Sequence, residues 1–140
     1  MGSYVIDASV IVKWVMGDRE EPDQEKATGL LTSWAEGKDD LWAPTLWEYE
    51  VANFLGREFA PEAKSRMEIL RKLGIRGIAL TDAMIERCFL WMKTKNVSFY
   101  DAAYLAAAHE VGAVLVTADE KFVGKMDSHA PMITLKDLTI

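Results

Sequence analysis

The sequence predicts an α/β fold of three layers, with a mainly parallel sheet of about five strands flanked by helices. Short apolar runs (SYVID, DLWAP, GIAL, AVLVT and MITL) alternate with longer segments whose apolar residues recur at helical spacing. The run AVLVT is β-branched and apolar without polar alternation, the pattern of a strand buried on both faces. Strands separated by helices need crossover connections, and these pair strands in parallel.

The elements follow in order. SYVID ends in Asp7, and ASVIVKWVM follows with Ser9 placed to cap a helix that carries Val10, Val12 and Trp14. From Glu21 to Trp34 the apolar positions Ala27, Leu30, Leu31 and Trp34 fall at helical spacing, and Gly37 is the stop. DLWAP is a second strand that Pro44 ends. TLWEYEVANFLGREF puts Leu46, Tyr49, Val51, Asn53 and Phe54 in a helical arrangement. APEAKSRMEILRKLG starts another helix, with Pro61 in its first turn and Gly74 at its end. GIAL reads as a third strand. In TDAMIERCFLWMKTKN, Thr81 caps a helix whose apolar face is Met84, Ile85, Cys88, Phe89 and Met92. In SFYDAAYLAAAHEVG, Ser98 is the N-cap, Asp101 lies three residues later and Gly112 closes the helix. After AVLVT, ADEKFVGKM forms a short helix and MITL a last strand.

A chain of 140 residues suits one domain, residues 1–140, able to bury roughly two-thirds of the surface its unfolded form exposes. Half of the residues are hydrophobic, and no long polar stretch suggests a disordered tail. The single cysteine, Cys88, excludes an intrachain disulfide and fits a packed position in a protein of the reducing cytoplasm. No apolar run approaches the ~20 residues a membrane span needs, and MGSYVIDASV lacks the basic start and cleavage site of a signal peptide. A net charge of −6 and a pI near 4.9 argue against a passive nucleic-acid binder and against attraction to an anionic membrane. They argue less strongly against a metal-dependent nuclease, because carboxylates neutralised by divalent cations can meet phosphate locally.

In sheets of this kind ligands collect beyond the carboxyl ends of the strands. Asp7 ends the first strand, and Asp119 lies two residues beyond AVLVT. Asp101 projects from the first turn of its helix, which precedes that strand. Glu50 lies about one turn into the helix that leaves DLWAP at the same edge. Each acid also has a structural role open to it: Asp7, Asp101 and Asp119 can each favour a helix N-terminus, and Glu50 can be a solvated helix acid. Convergence of all four changes the balance, because their mutual repulsion disfavours the fold unless a cation binds or protons are retained. Hard oxygen donors suit magnesium or manganese, whereas zinc would recruit His or Cys. The two histidines, His109 and His129, have no ligand-like spacing. A magnesium site of this type positions a water, lowers its pKa and stabilises charge on a phosphoryl oxygen. Ser9 and Thr117 can hold such a site by hydrogen bonds, or serve only as a helix cap and a strand end.

Together these segments resemble the PIN domain family, and more narrowly the VapC-type toxin ribonucleases of toxin-antitoxin pairs. The matching stretches are YVIDASV with Asp7, PTLWEYEVANFL with Glu50 and Asn53, SFYDAAYLAAA with Asp101, and LVTADEKF with Thr117 and Asp119. They span nearly the whole chain in family order. The resemblance implies a five-stranded parallel sheet, cleavage of RNA phosphodiester bonds dependent on Mg²⁺ or Mn²⁺, a homodimer, and inhibition by a small antitoxin protein. Asp7, Glu50, Asp101 and Asp119 match the family's acidic residues as metal ligands and catalytic groups. Glu48 lies about 200° from Glu50 around the helix, so both cannot face one metal. Asn53, three residues after Glu50, can share its face and orient it. Glu120 adds an acid beside Asp119.

No basic stripe is apparent, although Lys13, Arg57, Lys93, Lys95 and Lys121 can gather near the site on folding. The five tryptophans can stack bases, but packing is their more usual role. Two other readings share the acidic sheet edge: a different magnesium-dependent phosphoryl-transfer enzyme, and a receiver-like or inactive binding module. Short loops leave little material for the substrate cap of the first. The second expects paired acids at the first strand, where VID has one.

Overall fold

A computed structural model of the chain describes residues 2–17 and 19–139. Five strands form one sheet: β1 (Ser3–Ile6), β2 (Asp40–Pro44), β3 (Arg76–Ile78), β4 (Val114–Thr117) and β5 (Met132–Thr134). Their order is β3-β2-β1-β4-β5, and every neighbouring pair is parallel. The register sets Val5 beside Trp42 on one side and Leu115 on the other. The helices are α1 (Ala8–Ile11, running on as a 3₁₀ turn through Val15), α2 (Gln24–Ala35), α3 (Leu46–Glu58), α4 (Ala63–Lys72), α5 (Asp82–Lys95), α6 (Phe99–Val111) and α7 (Glu120–Lys125).

The chain steps outward from β1 to β2 to β3, then returns to the far side of β1 for β4 and β5. Right-handed crossovers in opposite directions put their helices on opposite faces of the sheet, which gives the three layers. This order also separates the fold from the 2-1-3-4-5 arrangement of receiver domains. The reversal falls between β1 and β4, so the crevice expected to take a ligand opens at their carboxyl ends.

Val5, Ile6, Leu115 and Val116 are fully buried, as the unbroken apolar runs of these central strands require. Helix α6 packs across β1, β2 and β4, and every residue from Ala102 to Ala108 is buried. Its alanines keep the helix close to the sheet, so Asp101 and Tyr104 on the same helix are held against the strand ends. Cys88 is buried, and burial pushes its thiol up to about 11, which fits packing rather than chemistry. All five tryptophans lie in the core or pack against it.

Several elements differ from the sequence expectation in bounds. Helix α2 starts at Gln24 rather than Glu21, because a residue before proline, here Pro22, is pushed out of the helical region. Pro61 sits in a 3₁₀ turn, Ala60–Glu62, ahead of α4. Strand β3 stops at Ile78, short of the expected Leu80, since its partner β2 ends at Pro44 opposite Ile78. The apolar face of α5 is divided: Met84 and Cys88 are buried, while Phe89 and Met92 are exposed. The cap of α1 is Asp7 rather than Ser9, with Ser9 in the first turn.

Leu115→Ala is expected to lower the unfolding free energy by about 2–5 kcal/mol, because it opens a cavity in a strand paired on both sides. Val114→Ala, at an exposed position on the same strand, should cost under about 1 kcal/mol. Urea denaturation of the two variants checks the difference.

Candidate functional site

Asp7 leaves β1 at the reversal point, and its backbone N–H donates to the Val116 carbonyl at 3.0 Å. Its Oδ2 accepts from the Ser9 hydroxyl at 2.5 Å, the Ser9 backbone N–H at 3.3 Å and the Thr117 hydroxyl at 3.1 Å. The two hydroxyls are themselves acceptors: Ser9 Oγ from the Ala118 N–H at 3.0 Å, and Thr117 Oγ1 from the Asp119 N–H at 3.1 Å. Each hydroxyl therefore carries a hydrogen bond from the turn after β4 to the carboxylate after β1. Thr117 is 1 % exposed, so its orientation is fixed by packing as well as by these bonds.

Asp101 stands in the first turn of α6, where its backbone N–H donates to the Ser98 cap at 3.0 Å. Asp119 caps α7, with its Oδ1 accepting from the Phe122 N–H at 3.0 Å. Asp119 thus caps α7 with its own carboxylate, whereas the cap of α6 is Ser98 and Asp101 adds a negative charge to the first turn. Glu50, one turn into α3, is half-buried, and its Oε1 accepts from the Tyr104 hydroxyl at 2.6 Å. Glu48 points elsewhere and pairs with Arg71 at 3.0 Å. Glu120 approaches Lys136 at 3.9 Å.

The acids feel one another. Burial holds the Asp7 carboxyl above its usual range, opposed by the Ser9 and Thr117 hydrogen bonds and reinforced by the Asp119 charge. Burial also raises Glu50, with the Tyr104 bond opposing and the charges of Asp7 and Asp101 adding. Asp101 is raised by burial and then by Asp7 and Asp119. Asp7 is thus the common neighbour of Glu50, Asp101 and Asp119. Among the described residues, no three acidic, histidine or cysteine side chains are already closed around a single metal position. What the chain provides is an all-oxygen donor set under mutual repulsion, the chemistry that suits a hard divalent cation.

Asn53 is exposed and lines a shallow hollow with Tyr49, Glu50 and Tyr100. On another flank Lys121 and Lys125 line a small cleft with Asp101 and Asp119. The other cations are placed differently. Lys13 is buried, donating to the Pro22 carbonyl at 2.9 Å and meeting Glu21 at 3.4 Å, so it holds a loop rather than facing a ligand. Lys95 pairs with Asp127 at 2.7 Å. A large surface hollow lies at the opposite, amino ends of β1 and β2, lined by Gly2, Tyr4 and Asp39 among others, and gathers none of these acids. Tyr104 and Lys125 are the residues beside these acids that sequence reasoning missed; the signal for Tyr104 was a tyrosine three residues after Asp101 in a run otherwise made of alanine and leucine.

No curated protein matches the chain in sequence. Solved structures match it in fold. A Pyrobaculum aerophilum protein, PAE2754, is 21% identical with a TM-score of 0.66, covering 96% of this chain and 90% of that one. A toxin-antitoxin complex from Klebsiella pneumoniae contains a chain 16% identical with a TM-score of 0.69, covering 96% and 99%. The Mycobacterium tuberculosis toxin VapC20, described as cleaving the sarcin-ricin loop, is 17% identical with a TM-score of 0.65, covering 86% and 93%. The PIN domain family model matches residues 4–125, a span from β1 to the end of α7 that takes in all four acids and both hydroxyls bound to Asp7, and the chain belongs to the PIN domain family.

Proposed function

We propose that this protein is an endoribonuclease dependent on Mg²⁺ or Mn²⁺, acting as the toxin of a toxin-antitoxin pair. The observation that carries the reading is that four acids meet at the reversal point of the sheet: Thr117 links Asp7 to Asp119, Asp101 and Asp119 line one cleft, and Glu50 is bonded to Tyr104 on the helix of Asp101. Its support from relatives is the fold shared with chains described as toxins, one of them as cleaving an RNA loop. Residues 1–140 are read as one domain, and the lone buried Cys88 suits the reducing cytoplasm. Among the described residues no helix is long and apolar enough to cross a membrane.

Asp7, Glu50, Asp101 and Asp119 would hold the ion, and Ser9 and Thr117 would fix the orientation of Asp7. When bound, the ion would supply a water of lowered pKa and stabilise charge on the phosphate. The chain's own part is to position the scissile phosphate and to accept a proton from the attacking water on a carboxylate. In the displacement the water oxygen bonds to phosphorus, the opposite phosphorus–oxygen bond breaks, and the leaving oxygen takes up a proton. Lys121 and Lys125 give the phosphate a local positive flank in a chain of net charge −6. Asn53 is placed to hydrogen-bond RNA or water beside Glu50.

The partner reading has two parts, a cognate antitoxin and a homodimer. Tyr49, Leu80 and Tyr100 are each more than half exposed and line one hollow, an apolar surface suited to covering by another protein chain.

Purified, antitoxin-free protein should cleave a mixed cellular RNA pool with Mg²⁺ or Mn²⁺ and not with chelator. Asp7→Ala and Asp101→Asn should each lose about 100-fold or more of that activity. Full activity in both folded variants would overturn the assignment, as would wild-type cleavage that persists in chelator. Independently, Mn²⁺ at about 100 times its Kd should stabilise the wild type by about 2.7 kcal/mol, read as a rise of several degrees in melting temperature. Asp101→Asn should melt no lower than wild type without metal, and should show a much smaller rise with it.

A further inference from the structure

We infer that Tyr104 is a positioning residue, whose hydroxyl fixes one oxygen of Glu50 so that the carboxylate presents its other oxygen to the ion held with Asp7 and Asp101. This rests on the metal-dependent reading above and extends it to a residue outside the acidic set. Tyr104 is 1 % exposed and donates to Glu50 Oε1 at 2.6 Å, across 54 residues of sequence. One buried phenol on α6 thus reaches the carboxylate on α3.

The arrangement has a physical purpose for Glu50. Its side chain has three rotatable bonds, and the nearby carboxylates repel it. Without an anchor it would turn toward solvent, and each binding event would have to gather it again. Among the described residues the Tyr104 hydroxyl is the side-chain donor to Glu50, so the anchor rests on this bond. It parallels the way the Ser9 and Thr117 hydroxyls engage Asp7 Oδ2. Groups that orient metal ligands from behind commonly change affinity or activity by 10- to 100-fold when removed. Helix α6 gains a double role, because Asp101 and Tyr104 lie one turn apart on it.

Tyr104→Phe removes the hydroxyl and keeps the ring. Three quantities decide the matter: Mn²⁺ affinity by calorimetric titration, kcat and KM on a defined RNA, and the metal-free melting temperature. The expected result is an Mn²⁺ Kd raised about 10-fold and kcat lowered 10-fold or more, with KM for RNA within twofold because Tyr104 lies beneath the site, away from substrate. In a Glu50→Gln background the same substitution should have little further effect on either quantity, since the hydroxyl acts through that carboxylate. An Mn²⁺ Kd and kcat within twofold of wild type would overturn the inference. So would an equal loss in the Glu50→Gln background, or a loss that follows only the unfolded fraction in the melting curve. If wild type binds Mn²⁺ but cleaves no RNA, the ribonuclease reading fails and the Kd comparison still decides the role of Tyr104.

Discussion

The site depends on a pair of hydroxyls that join two strands through one carboxylate. Ser9 and Thr117 both donate to Asp7 Oδ2 and both accept from the turn after β4. Parallel strands end side by side with their last amides and carbonyls unpaired, and at a reversal point the connections leave in opposite directions. Something must satisfy the polar groups exposed there. Here the two hydroxyls take up the Ala118 and Asp119 amides, and the carboxylate to which they donate is also the one whose charge acts on Glu50 and Asp101. The same bonds that finish the sheet therefore aim the centre of the acidic set.

This arrangement sets two tendencies against each other. Burial and repulsion disfavour charge on Asp7, Glu50 and Asp101, while hydrogen bonds from Ser9, Thr117 and Tyr104 favour it. Donors strong enough to hold carboxylates in place, without cations that would neutralise them, leave negative potential concentrated at the strand ends. Lys121 and Lys125 lie on the flank and temper it only partly. Helix dipoles add to the pull, since Asp7, Asp101 and Asp119 stand at or near helix N-termini. Capping engages one oxygen each of Asp7 and Asp119, Oδ2 and Oδ1 respectively.

The strand-helix order was legible because each signal was local. β-branched runs marked β1 and β4, while Ser98, Thr81, Gly112 and Pro44 marked boundaries by the backbone angles and hydrogen bonds they permit. Boundaries set by a partner were less legible: nothing within GIAL says that β2 gives out opposite Ile78. The four acids could be placed at one edge, since the edge follows from the strands. Tyr104 could not, because its hydroxyl matters through a bond to a residue 54 positions away. Lys13 failed for the same kind of reason, since its burial against Pro22 depends on the path of a loop.

Both outer strands of the sheet are only three residues long, Arg76–Ile78 and Met132–Thr134. Such short borders offer few unpaired amides in a row, so an incoming chain cannot readily lengthen the sheet by adding a strand. Any contact with another chain would then fall on side-chain surfaces of the helices rather than on backbone pairing. Backbone pairing accepts many sequences, whereas packing between helices discriminates by shape, so the truncated borders favour a choosy partnership over a sticky one.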